Sequence, residues 1–156
     1  TGSSKTRLVQ KRIILSGYRM KKAEELLALL SDVYGLSPWN LEQIEVDLKQ
    51  ANTEYFYLYE AQALIGFLAI QDLAGELEIT QLAVKKAYQG QGLANQLMEF
   101  LADRPERIFL EVRASNQVAR ALYEKHGFLP VGQRKNYYQN PVEDAILMAR
   151  EGKENV

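Results

Sequence analysis

The sequence has no cysteine. That excludes disulfides, thiolate nucleophiles and acyl-cysteine intermediates, and it suits a reducing compartment. A single histidine, His126, excludes metal sites assembled from two or three imidazoles. Net charge is nearly absent: 19 basic against 20 acidic residues leave −1, which gives no reason to expect nucleic acid as a partner. No apolar run approaches the ~20 residues of a membrane span, and no signal peptide is read. A cytoplasmic protein without membrane contact is the expectation.

What is present is the material of one globular domain. A chain of 156 residues can bury a sizeable core, and 47% hydrophobic with 25% charged residues is ordinary for such a domain. The opening TGSSKT is small, polar and without periodicity. Residues 1–10 are therefore set aside as a disordered or non-native extension, 11–150 are read as a single domain, and 151–156 as a tail.

Periodicity places alternating elements along the domain. Arg12–Leu15 reads as a short strand. Lys22–Asp32 reads as a helix, with Ala23, Leu26, Leu27 and Leu30 at i, i+3, i+4 and i+7. Asn40 can cap a second helix carrying Leu41, Ile44 and Leu48, with Gln43 three residues on as in a capping box. Tyr55–Tyr59 and Ala63–Ile70 read as a hairpin, and Glu76–Val84 as a further strand. A helix to about Leu101, a strand at Ile108–Arg113, a helix at Gln117–Lys125 and strands at Phe128–Tyr138 and Asp144–Arg150 follow. The fold class is mixed α/β (α+β), a mixed sheet with helices on its faces.

Between strand and helix lies AYQGQGLANQLMEFL, Ala87–Leu101. Two glycines at the start of a helix are costly unless the backbone needs them. A P-loop would need Lys-Ser/Thr after the last glycine, where Leu93 and Ala94 stand. A dinucleotide fingerprint starting at Gly90 would need Gly or Ala where Asn95 stands. The pattern Gln/Arg-x-x-Gly-x-Gly/Ala fits as Gln89, Gly92 and Ala94. A helix start with small residues lets a pyrophosphate reach unpaired N–H groups. A glycine turn leading into a surface helix is the competing explanation.

The next strand and helix read LEVRASNQVARALYEKHGF, Leu110–Phe128. Together with the glycine motif, this stretch resembles the GCN5-related N-acetyltransferase (GNAT) superfamily. There Q/RxxGxG/A cradles the pyrophosphate of coenzyme A, and N-x-x-A-x-x-L-Y-x-x-x-G-F marks the second half of the cofactor site. Asn116, Ala119, Leu122, Tyr123, Gly127 and Phe128 fill that second pattern. SPWNLEQIEVDL (Ser37–Leu48), LEVRASN (Leu110–Asn116) and RKNYYQNPVEDAILM (Arg134–Met148) are similar to the RimI-type branch, which acetylates the N-terminal amine of a small-subunit ribosomal protein. The glycine motif departs from the commoner form only in ending on Ala94.

The resemblance implies a twisted, mostly antiparallel mixed sheet of about six to seven strands with about four helices. It implies acetyl-CoA as cosubstrate, no metal, and direct attack in a ternary complex. It gives Glu111 the role of general base and Tyr123 that of general acid. Cofactor contacts fall to Leu82, Ala83, Val84, Gln89, Gly90, Gln91, Gly92, Leu93, Ala94, Asn95 and Asn116. The acceptor becomes a protein or peptide N-terminus, a ribosomal protein first. Alternatives are a GNAT enzyme acting on a small amine or a lysine, a non-catalytic acyl-CoA-binding module and, more distantly, a dinucleotide-binding protein.

Residue chemistry leaves other roles open. A carboxylate can strip the proton from an ammonium, yet the strand pattern alone favours a solvated face or an ion pair with Arg113 for Glu111. Tyr123 at helical spacing from Ala119 also suits the core, and Asn116 also suits a helix N-cap. Tyr137 and Tyr138 are adjacent, so alternation sends them to opposite sides. One of them, with Trp39, is a candidate wall of the acceptor cleft.

Overall fold

The computed structural model describes residues 7–11 and 16–153, with side chains from Lys22 onward. Its elements are β1 (Arg7–Lys11), α1 (Ser16–Tyr34), α2 (Leu41–Lys49), β2 (Thr53–Glu60), β3 (Ala63–Leu73), β4 (Glu76–Val84), α3 (Leu93–Glu99), β5 (Ile108–Arg113), α4 (Gln117–Lys125), β6 (Leu129–Tyr138) and β7 (Glu143–Arg150). The strands hydrogen-bond in the order β1-β2-β3-β4-β5-β7-β6. The chain clusters into two units: one takes the chain up to Gln71 together with Thr80–Phe100, the other Asp72–Ile79 together with Leu101–Val156.

In the first unit, β1 corrects the sequence reading, which had set residues 1–10 aside. It pairs antiparallel with β2, from Arg7 opposite Glu60 to Lys11 opposite Phe56. Five residues with two apolar positions carry too little alternation to be seen alone; the partner strand specifies them. The strand expected at Arg12–Leu15 lies outside the described residues. The β2–β3 hairpin turns at Ala61 and Gln62, one residue tighter than the expected Glu60–Gln62, with Ala61 at a φ of +55°. Tyr55, Tyr57 and Tyr59 share one face of β2, with ring centroids 5.8 and 6.2 Å apart. They meet Ala23, Leu26 and Leu30 of α1 and Ile44 and Leu48 of α2 in the core. The buried Lys22 ammonium sits over the Tyr57 and Tyr59 rings at 4.5 and 4.4 Å, paired with Glu25 at 3.3 Å, so its charge is compensated. The capping box is formed: Gln43 N donates to Asn40 Oδ1 at 2.8 Å, and Asn40 N to Gln43 Oε1 at 2.9 Å. Such a cap is worth about 1 kcal/mol.

The second unit is built on β5 and β7, antiparallel from Ile108↔Arg150 to Arg113↔Ala145, with β6 antiparallel to β7. Ile108, Leu110 and Val112 are buried and alternate with Phe109, Glu111 and Arg113. The helix α4 ends in a Schellman motif. Gly127 takes a φ of +91°, Gly127 N donates to Glu124 O and Phe128 N to Tyr123 O, both at 3.0 Å. Buried Phe128 then packs on Tyr123, centroids 6.0 Å apart. Arg150 fastens the strand to the turn before β5, donating to Leu101 O (2.8 Å), Arg104 O (2.6 Å) and Glu106 O (2.9 Å).

Candidate active site

The first unit holds the glycine loop. After β4 the chain makes a 3-10 turn at Lys86–Tyr88 and enters α3 through Gly90 and Gly92. Their φ values are +80° and +79°, the left-handed region that a side chain strains. A Cβ on either would meet nothing within 4 Å. Glycine is therefore demanded by backbone conformation, and the backbone it leaves bare is open to a ligand. The helical ladder begins with Gln96 N donating to Gly92 O at 3.1 Å. Leu93 turns its side chain into the core. A bare backbone at a helix start fits a pyrophosphate.

Gln89 does something else. Its Nε2 donates to Val84 O at 2.9 Å, folding the loop back on the end of β4. Lys86 N donates to Asp32 Oδ2 at 2.8 Å and ties the same loop to α1. The side chains of Ala83 and Val84 are buried, so these residues offer a ligand only backbone. The parallel register of β4 with β5 covers Leu77↔Ile108 and Glu78↔Phe109. Trp39 is half-buried against the core of this unit, and it lines an open groove of about 400 Å³ with Glu42, Val46 and Asp47.

The second unit holds a charged face. Glu78 of β4 lies beside Phe109 of β5, and Glu111 follows two residues on, so both carboxylates lie on one face of the sheet. Opposite Glu111 stand Leu147 of β7 and Gly132 of β6. Arg134 of β6 pairs with Ala145, which opposes Arg113, and so reaches the same face. Between Arg134 and Tyr138 the register shifts, and Asn136 takes a φ of +52°. A bulge re-aims side chains, and here it brings the Tyr137 ring to 5.2 Å from the Arg134 guanidinium. Asp144 holds the bulge, accepting from Asn136 N at 2.8 Å and Gln133 Nε2 at 2.7 Å.

The Glu111 side chain is 16% exposed, and Arg134 Nε lies 2.8 Å from its Oε2. That oxygen is buried and accepts no hydrogen bond among the described residues. The contact is an ion pair whose N–H is not directed at the oxygen; Coulomb attraction needs proximity rather than direction. The Arg113 alternative falls away. Arg113 turns to Glu143 (3.2 Å) and to the carbonyls of Gln139 (2.9 Å) and Pro141 (3.0 Å), and stacks on Tyr138. Burial, and secondarily the charge of Glu111, raise the pKa of Glu78, while Arg134 opposes the rise. The charge of Glu111 also raises the pKa of Tyr137, whose phenol hydrogen-bonds to that carboxylate.

The two tyrosines thus divide as alternation and the bulge dictate: Tyr137 goes to Arg134 and Glu111, Tyr138 to Arg113. Tyr123 is 8% exposed and forms part of the α4 cap. Asn116 is the N-cap of α4, accepting from Ala119 N at 3.1 Å. Glu143 fixes the turn before it, accepting from Ser115 N at 2.6 Å, and hydrogen bonds from Ser115 hold its carboxyl pKa down. Glu78 and Arg134 are the residues sequence reasoning missed. Glu78 sits between Leu77 and Ile79, where an acid reads as an ordinary outward residue, and Arg134 lies in the quoted RKNYY without a role.

Comparison with known proteins adds descent to this geometry. The model of the acetyltransferase (GNAT) family matches residues 23–128. The N-alpha-acetyltransferase RimI of Mycobacterium tuberculosis is 33% identical over 123 residues, 75% of this chain and 78% of that protein. The ribosomal protein bS18-alanine N-acetyltransferase of Escherichia coli K12 is 41% identical over 101 residues, 60% of this chain and 68% of that protein. The crystal structure of the ribosomal-protein-S18-alanine N-acetyltransferase from Escherichia coli superposes with a TM-score of 0.84 at 27% identity, covering 97% of each chain. Family model, relatives and backbone agree, and the chain belongs to the acetyltransferase (GNAT) family and is an N-acetyltransferase.

Proposed function

We propose that the protein transfers an acetyl group from acetyl-CoA to the α-amine at the N-terminus of a protein, a ribosomal protein being the first acceptor to test. One observation carries the reading: Glu111 projects from β5 with a buried oxygen that accepts no hydrogen bond among the described residues, beside a cation and a phenol. The RimI-type relatives supply the acceptor class. The bare backbone at Gly90 and Gly92 supports a cofactor with a pyrophosphate.

In this reading the loop from Gln89 to Asn95 holds the pyrophosphate through backbone N–H groups, with Gln89 keeping the loop in place. The N–H groups of Leu82–Val84 take the pantetheine arm and polarise the thioester carbonyl. Bound acetyl-CoA supplies an activated acetyl thioester. An α-amine has a pKa of about 8, so at neutral pH most of it is ammonium and cannot attack. Glu111 takes the ammonium proton, directly or through a water. The nitrogen then forms its bond to the acetyl carbon, gives up a second proton to solvent, and the carbon–sulfur bond breaks to leave a neutral amide. Tyr123 gives its phenolic proton to the departing sulfur and regains one from solvent. Asn116 serves as a cap that fixes the start of α4 and hence Tyr123.

The test is incubation with labelled acetyl-CoA and a panel of peptides: ribosomal-protein N-termini, the same peptides blocked at the α-amine but carrying lysine, and small amines. Label on the free α-amine peptides alone is expected. Label only on lysine or small amines would overturn the acceptor assignment. Acetyl-CoA binding without transfer to any amine would overturn the enzymatic one.

A further inference from the structure

We infer that Arg134 is a positioning residue for the base, holding the Glu111 carboxylate oriented toward the acceptor, with Glu78 as the opposing charge. The inference rests on the reading of Glu111 as base and goes beyond it, because it concerns what sets the state of that base.

The geometry of the second unit carries it. Glu111 lies on an outward face among few polar groups. Its own strand contributes Arg113, which is committed to Glu143, Gln139, Pro141 and Tyr138. β7 places apolar Leu147 directly opposite. Asp144 lies on the other face of β7, held by Gln133 and Asn136. Among the described residues, that leaves Glu78 from β4 and Arg134 and Tyr137 from β6 as the groups that act on Glu111. Two carboxylates against one guanidinium leave a net charge of −1, with the phenol neutral. An incoming ammonium cancels that charge, and once its proton has passed to Glu111 the face is still neutral.

Arg134 suits this role better than a structural one. Its side chain is 58% exposed, so it fills no core. Its guanidinium is held between the Tyr137 ring at 5.2 Å and Glu111 Oε2 at 2.8 Å. The ion pair is made at Oε2, the buried oxygen of the carboxylate, so it fixes the orientation of the group from its inner side. The bulge at Asn136 is what brings Tyr137 under the guanidinium. Arginine matters for the stacking, whereas lysine could supply only the charge.

The experiment is the pH dependence of kcat/KM for an N-terminal peptide at saturating acetyl-CoA, in the wild type and in Arg134→Gln, Arg134→Lys, Glu78→Gln and Glu111→Gln, with melting curves for each. Removing the cation makes the carboxylate harder to ionise. Arg134→Gln should therefore move the acid limb to higher pH and lower the plateau through lost orientation. Arg134→Lys should restore the limb but not the whole plateau. Glu78→Gln removes a like charge and should move the limb to lower pH. A rate lowered equally at every pH in Arg134→Gln, or limbs moving the same way in Arg134→Gln and Glu78→Gln, would overturn the inference. If Glu111→Gln keeps the wild-type limb, the base reading itself fails. If Glu111→Gln loses the limb and Arg134→Gln leaves it in place, only the inference fails.

Discussion

The glycine loop of the first unit and the charged face of the second are made of opposite materials. The loop works through backbone: Gly90 and Gly92 lie in left-handed conformations with open space around them, and the side chain of Gln89 is spent on holding Val84. The face works through side chains: Glu78, Glu111, Arg134 and Tyr137 come from three strands, and a bulge sets the aim of the last. A cofactor phosphate needs many weak donors fixed in place, which a backbone supplies without titrating. Proton removal needs one group that changes charge, which only a side chain supplies. Damage to the two regions should therefore appear in different measurements.

The sharpest separation is expected from the base. Glu111→Gln keeps shape and removes the proton acceptor, and turnover at neutral pH should fall by about 10²–10⁴-fold while acetyl-CoA affinity measured by calorimetry stays near wild type. A parallel loss of affinity would merge the two regions. The reverse pattern is expected from Gly92→Val. Branched carbons would stand where the phosphates approach, and the φ of +79° adds strain of about 1–2 kcal/mol. The strain lowers stability, whereas the blocked approach should lower acetyl-CoA affinity by about tenfold or more, roughly 1.4 kcal/mol, while the fold survives. Unchanged affinity in a folded variant would remove the loop from the cofactor site.

Tyr123→Phe sharpens the comparison inside the second unit. The ring that packs on Phe128 remains, so stability should change by about 1 kcal/mol at most, and turnover should drop about tenfold, roughly 1.4 kcal/mol of barrier. Collapse of stability with unchanged turnover would make Tyr123 a packing residue. The smallest effect is expected at Asn116. Loss of the cap in Asn116→Ala should cost about 1 kcal/mol, a few degrees of Tm, and Asn116→Asp should restore stability. If Asn116→Asp restores stability but acetyl-CoA affinity is lost in both variants, the residue contacts cofactor as well.

The same contrast explains what the sequence disclosed. Ile108–Arg113 and Gln117–Lys125 were legible to the residue, because alternation, the Asn116 cap and Gly127 are all local signals. The Asn40–Gln43 box and the glycine loop were legible for the same reason. The helix α3 stops at Glu99, short of the expected Leu101, as the chain turns at Phe100. Conversely, β1 depends on its ladder with β2, and Glu78 meets Glu111 only through the β4–β5 register. Arg134 reaches Glu111 only because β6 pairs with β7 and β7 with β5. No spacing within one segment encodes a three-strand register, so Glu111 could be named from the family pattern while its surroundings could not.

The central claim is that Glu111 removes the proton from an acceptor ammonium. The ratio of wild-type to Glu111→Gln turnover, followed from pH 6 to pH 9 with one N-terminal peptide, tests it most directly. An α-amine has a pKa of about 8, so above it solution supplies deprotonated acceptor and the base becomes dispensable. The account predicts a large ratio at low pH that shrinks steadily as the pH passes about 8. A ratio near one at neutral pH, or a large ratio that does not change with pH, would contradict it.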